Sequence, residues 1–184
     1  SNTVRIPAYK FRGELYTDTT ELVQALASDW DNGKKQLYRG LLTGFFMACD
    51  PEIAEACMDA EDNVTKHGEN EDVAFWKLLY KMAPGMDALF WKNQKYESLN
   101  AFGTDLMEKL RSGNVDECPV WSEMLSYGLI SSYMKAHKFS EAQVKGAESI
   151  ESSVRLNKAN AKTMALNYYL LAYLISGDRG FVLA

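Results

Sequence analysis

The stretch FRGELYTDTTELVQAL, Phe11 to Leu26, returns in altered form as WKNQKYESLNAFGTDL, Trp91 to Leu106, eighty positions later. Each has an aromatic, a tyrosine five places on, and two large apolar residues four apart: Phe11, Tyr16, Leu22 and Leu26 against Trp91, Tyr96, Phe102 and Leu106. The echo continues with a growing offset. Eighty-eight positions separate Leu37 from Leu125, Gly40 from Gly128, Leu41 from Leu129, Leu42 from Ile130 and Phe45 from Tyr133. Ninety-two separate Trp76 from Tyr168, Leu79 from Leu171 and Gly85 from Gly177. An offset that only grows is what small loop insertions in a duplicated unit would produce.

The spacing inside the echo is helical. Asp18 followed by Glu21 is a capping-box signature, and Leu22, Leu26 and Trp30 then share one helix face. Asn32-Gly33 reads as a break or a tight turn. A second helix is expected over Lys34 to Ala48, with Leu37, Leu41, Leu42, Phe45 and Phe46 in a wide apolar stripe. Asp50-Pro51 caps a third, whose face is Ile53, Cys57, Ala60 and Val64. A fourth, from Asp72 to Met82, is apolar nearly all round and ends at Pro84-Gly85.

The second half repeats the order, with helices over Ser98 to Arg111, Val120 to Lys135, Ser140 to Val154 and Ala159 to Ile175. Aromatic and polar residues alternate in YKFRGELYT and LFWKNQKYES, which suggests a short hairpin before each set. The expected fold is mainly α: a bundle of about eight helices in two tandem repeat units, residues 3–89 and 90–184, each preceded by a short β-hairpin or extended segment. The tail SGDRGFVLA lies where a third hairpin would start. Gly40 and Gly44, matched by Gly128 and Ser132, suggest a close backbone approach beside the second helix of each unit.

Composition narrows the function. A net charge of −5, with the charges interspersed, offers no basic field for phosphates, so no nucleic acid is expected as partner. The longest apolar run, Met164 to Ile175, is too short for a transmembrane segment. Three cysteines make no disulfide framework and fit a reduced, cytoplasmic setting. Ser1-Asn2 reads as the remnant of a cleaved tag and is set aside.

Catalytic signatures are sparse. The two histidines, His67 and His137, stand at non-equivalent positions with no Ser or Cys at a diagnostic spacing. Cys49, Cys57 and His67 match no zinc-ligand spacing. DAEDNVTKHGEN has Val64 and Asn70 where a calcium loop needs glycine and glutamate. His67-Gly68-Glu69 has no PCxxC to complete a deaminase site. Glu69, Glu71, Asp72, Asp116 and Glu117 could form paired carboxylates, which sequence cannot set across a cleft. No metal and no cofactor is expected.

These readings lean against an enzyme. They favour a non-enzymatic helical tandem-repeat module that mediates protein–protein interaction, alone or within a larger multidomain protein. Its partner would be another protein or another domain of the parent chain. Trp91, Tyr127, Tyr133, Tyr169 and His67 are the candidate binding-surface residues, since Tyr and Trp dominate binding hot spots. The alternative is an enzyme or small-ligand-binding protein with its site in the cleft between the two units. A scaffold would keep equivalent surfaces in both halves, whereas a specialised site would break one half with unique polar residues.

Overall fold

Short polar caps decide where the helices begin. In the computed structural model, which describes residues 5–113, 119–157 and 160–176, the Asp18 carboxylate accepts the Glu21 N–H at 2.9 Å and opens helix α1, Thr19–Ser28. Asp50 does the same for α4, Pro51–Thr65, by accepting from Ile53 N–H. Asn70 accepts from the Asp72 and Val73 N–H groups to start α5, Glu71–Met82. Each cap satisfies donors that a helix cannot pair internally.

Strands β1, Arg5–Phe11, and β2, Glu14–Asp18, precede α1. They pair antiparallel about the Arg12-Gly13 turn, with Tyr9 opposite Tyr16 and Phe11 opposite Glu14. The face Leu22, Leu26 and Trp30 is buried as expected, but α1 ends at Asp29 and Trp30 opens a separate helix, α2, Trp30–Tyr38. Asn32-Gly33 is therefore no break. The Asn32 amide folds back on the Asp29 carboxylate, which also pairs with Arg12. Gly33 is needed for contact: a Cβ there would stand 2.2 Å from the Leu26 carbonyl oxygen.

The expected helix over Lys34 to Ala48 is two helices. Gly40 has φ +75°, a left-handed conformation that stops α2 and starts α3, Leu41–Met47. A Cβ on Gly40 or Gly44 would meet nothing within 4 Å. The small residue at Gly40 thus serves a turn, and no close backbone approach is found there. α3 packs on α4, and α5 packs on α4, α1 and α2. Phe75, Leu79, Leu37, Leu42 and Phe46 form the centre of this first core.

Past Met86 come strands β3, Leu89–Trp91, and β4, Gln94–Tyr96, a second hairpin. Ser98 Oγ accepts Ala101 N–H and caps α6, Leu99–Ser112. Then follow α7, Pro119–Ser126, and α8, Leu129–Ala136, split at Gly128 with φ +73° where one helix was expected. Ser140 and Gln143 exchange hydrogen bonds in a capping box before α9, Glu141–Asn157. Asn160 Oδ1 accepts Thr163 N–H and caps α10, Ala161–Ser176. α10 packs on α6 and α9, and α9 on α7 and α8.

The chain is therefore mainly helical with two small hairpins, and the two left-handed glycines raise the count among the described residues from about eight helices to ten. It forms two compact units. The first holds the chain up to Met86 with Phe90–Lys95, and the second holds Asp87–Leu89 with Tyr96 onward, so the division runs through the β3–β4 hairpin. Among the described residues no helix is long and apolar enough to cross a membrane. The tail 177–184, where a third hairpin was expected, lies outside the described residues, as do Asp116, Glu117 and Cys118.

Candidate functional site

The five candidate surface residues have different fates. Trp91 is buried in the first unit, edge-on to Trp30 with ring centroids 5.9 Å apart and Lys92 above its ring. Tyr133 is buried in the second, its hydroxyl donating to the Asp87 carbonyl at 2.6 Å. Both are packing residues and present no surface. Tyr127, at the end of α7, is 42% exposed. Tyr169 on α10 is half-buried, and His67 lies exposed in the loop after α4.

Polar groups gather in two clusters, one part-buried around Asp72, a carboxylate already named as a candidate, and one buried around Glu151. In the first unit the Asp72 carboxylate accepts from Trp30 Nε1–H at 2.7 Å and meets Lys34 Nζ at 2.9 Å. Burial pushes this carboxyl up, but the Trp30 and Lys34 hydrogen bonds and the Lys34 and Lys92 charges outweigh burial and hold it below its usual value. Lys34 also lies 4.0 Å from Asp31 and from Glu71. Tyr38 donates to the Glu71 carbonyl, and burial together with the acidic neighbours pushes its hydroxyl up. Beside this network Asp31, Lys34, Lys35, Tyr38, Arg39 and Glu71 line an open cleft of about 420 Å³. Its charges are mixed, with Lys34, Lys35 and Arg39 set among Asp31 and Glu71, and Lys34 lies within 4.0 Å of both carboxylates.

In the second unit Glu151, 2% exposed, accepts from Ser131 N–H at 3.1 Å. Ser131 is the third residue of α8, whose N-cap Gly128 has no side chain to offer. Glu151 thus caps α8 from another helix. Burial pushes its carboxyl up, opposed by bonds from Ser131 and Ile130 and by the Arg155 charge. At the corresponding joint of the first unit, Thr43, third in α3 after Gly40, donates its hydroxyl to Glu61 at 3.1 Å. Glu151 had a sequence signal: it breaks the apolar register Val144, Ala147, Ile150, Val154 of α9.

Among the described residues both cysteines are held as thiols. Burial first and Glu61 second push the fully buried Cys57 thiol up to about 12, and burial raises Cys49 too, so neither supplies thiolate at neutral pH. Tyr9, whose hydroxyl donates to Gln36 at 2.5 Å, is likewise pushed up to about 12 by burial and Cys57. Among the described residues no three His, Cys, Asp or Glu side chains gather so as to hold a metal ion.

The outer faces are where each unit departs from ordinary polarity. On α10, which looked apolar all round, Met164, Tyr168, Leu171 and Ile175 turn inward while Leu166 and Leu170 stand 58% and 40% exposed, one turn apart. The first unit exposes Leu41, Met47 and Met58 on α3 and α4. Comparison with known proteins finds no matching family model, no curated protein and no solved structure that matches significantly.

Proposed function

We propose that the chain is a non-enzymatic module of two duplicated helical units that binds another protein, or another domain of its parent chain, through exposed apolar helix faces. The observation that carries this reading is the Leu166–Leu170 pair on α10. Two leucines a turn apart, flanked by half-buried Tyr169 and Tyr173, form a ridge suited to the apolar face of a partner helix or strand. Recognition also suits the chemistry of the interior, where thiols are silenced and carboxylates serve as helix caps and ion-pair partners.

Duplication is supported by the recurrence, in chain order, of a hairpin followed by five helices. The caps Asp18 and Ser98 stand eighty residues apart, and the left-handed Gly40 and Gly128 eighty-eight apart. The carboxylates Glu61 and Glu151, which meet the third residue of the next short helix, stand ninety apart. Such units offer long outer surfaces in preference to a single catalytic cavity.

The test is affinity capture from a lysate of the source organism with wild type and a Leu166→Glu/Leu170→Glu variant, followed by mass spectrometry. The expected result is a protein retained by wild type and lost from the variant while the helical circular dichroism of both is equal. Equal retention by both would remove α10 as the binding face, and nothing retained by either would overturn the interaction reading.

A further inference from the structure

We propose that the groove between the first half of α4 and the last turn of α5 is a docking site for a basic helical segment of another protein. Half-buried Ile53 and Ala56 and buried Met82 form its apolar floor, and it holds about 400 Å³. Glu52, Glu55 and Asp59 stand exposed along its α4 side, and Lys81 is the single cation in its lining. The groove lies wholly within the first unit, so its occupancy can be tested apart from the α10 face.

The charge along this wall is uncompensated. Between Pro51 and Thr65 α4 carries Glu52, Glu55, Asp59, Glu61 and Asp62 and no lysine or arginine. Elsewhere in the unit carboxylates meet cations: Asp29 meets Arg12, Asp62 meets Lys66, Glu69 meets Lys77 and Asp72 meets Lys34. Among the described residues no side-chain hydrogen bond or ion pair reaches Glu52, Glu55, Asp59 or Lys81. Glu52 gains from the α4 N-terminus, but Glu55 and Asp59 lie four apart on one helix face, where like charges repel. The C-terminal carbonyls of α5 add partial negative charge at the Met82 end. A cationic partner relieves the repulsion, and an apolar side chain set among its cations fills the floor.

The spacing fits a helix. Glu52 and Asp59 stand about 10 Å apart along the α4 axis, from a rise of about 1.5 Å per residue. Cations at i, i+3 and i+7 of a partner helix match that span, and an apolar residue at i+4 lies on the same face, toward the floor.

The matching place in the second unit is closed and differently charged. The sequence echo sets Lys145 opposite Glu55, Ser149 opposite Asp59, Gly146 opposite Ala56 and Leu174 opposite Met82. Lys145 pairs with Glu141 at 2.9 Å. A Cβ on Gly146 would stand 3.0 Å from Leu174, so the leucine already fills the room that Ala56 and Met82 leave open. Of these two places only the first has both the groove and the unpaired charge, as expected of a specialised surface.

The probe is a capped, alanine-rich peptide of about 16 residues, with lysines at i, i+3 and i+7 and one leucine at i+4. It is titrated into the whole chain at low salt and followed by amide ¹H–¹⁵N shifts. In wild type the shifts should concentrate on residues 52–59 and 81–83. Affinity should fall about 5- to 10-fold in Glu55→Gln/Asp59→Asn. That variant should melt no lower than wild type, because a repulsion is removed, so its lost binding is not lost folding. Ala56→Leu fills the floor without touching the charge and should weaken binding about 5-fold. Glu14→Gln/Glu108→Gln, with the same net charge as the first variant, should stay within about 2-fold of wild type, and Leu166→Glu/Leu170→Glu should bind no more weakly. No binding, shifts centred on another face, or full affinity in Glu55→Gln/Asp59→Asn or Ala56→Leu would overturn the site. So would amides 52–59 that move with protein concentration alone, which would give the groove to a second copy of the chain.

Discussion

Asp72 and Glu151 are both carboxylates set among buried helices, and they answer burial in opposite directions. Asp72 touches a lysine and an indole N–H, and its carboxyl is held low. Glu151 touches backbone N–H groups and a serine, with Arg155 acting only as a minor influence, and its carboxyl is pushed up. Both accept good hydrogen bonds. What separates them is a cation in contact, because hydrogen bonds from neutral donors do not repay the full cost of drying an ionised carboxylate. Asp72 thus strengthens its unit as an ion, whereas Glu151 is an ion that its unit tolerates in order to cap α8.

Removing each group breaks the comparison most directly. Asp72→Ala orphans the buried Trp30 indole N–H and strips Lys34 of its closest partner, with an expected loss of about 3 kcal/mol. Glu151→Ala leaves the Ser131 N–H unpaired, at about 2 kcal/mol, while Glu151→Gln keeps an acceptor and sheds the charge, for a change under about 1 kcal/mol. Urea unfolding can follow the units separately, since Trp30, Trp76 and Trp91 report on the first and Trp121 on the second. If Glu151→Gln proves as damaging as Glu151→Ala, the ionised form is doing the capping and the contrast with Asp72 collapses.

The pH dependence sharpens the same contrast. The folded state raises the Glu151 carboxyl above the ordinary glutamate value of about 4.3. Its contribution to stability is then fully present below that value and is lost as pH rises through the raised one. For Asp72, held below its ordinary value of about 3.9, the contribution is present above that value and is lost as pH falls through the lowered one. Between roughly pH 4 and neutrality Glu151 should therefore make wild type lose stability as pH rises, and Glu151→Gln should flatten that slope. Lys34→Met removes the cation from Asp72 and should reverse the direction of its shift, read by ¹³C carboxyl titration. An Asp72 carboxyl that stays low in Lys34→Met would assign its position to the Trp30 bond instead.

The fold was legible where a single residue carries a local instruction. Asp18, Asp50 and Ser98 announced their helices because a short oxygen side chain before an apolar stripe has one favourable use. Gly40 and Gly128 were misread because Leu37, Leu42 and Phe46 keep helical spacing across the break, so periodicity does not register a one-residue left-handed turn. Gly33 was misread for the converse reason, since its neighbour Asn32 suggests a turn while the demand for glycine comes from the Leu26 carbonyl in another helix. Of the polar clusters, Glu151 left a trace as a charge in an apolar register, whereas Asp72 showed only as one of several carboxylates, with nothing to tie it to Trp30 and Lys34.

The two glycine joints give the finest test of how deeply the caps differ. Gly40→Ala and Gly128→Ala each force a side chain into the left-handed region, at about 1 kcal/mol. Around Gly40 a Cβ meets nothing within 4 Å, whereas at Gly128 it comes to 4.0 Å from the Glu151 carboxylate. The Gly40 cost should therefore be purely one of backbone conformation and should add to any change at Glu61, whose hydrogen bond to Thr43 is a side-chain contact. At Gly128 the backbone that strains is the backbone that Glu151 holds, so Gly128→Ala and Glu151→Gln should depart from additivity by about 0.5 kcal/mol or more. Additivity at both joints would mean that Glu151 fastens Ser131 without setting the turn before it, and the two joints would then differ only in how much water reaches their carboxylates.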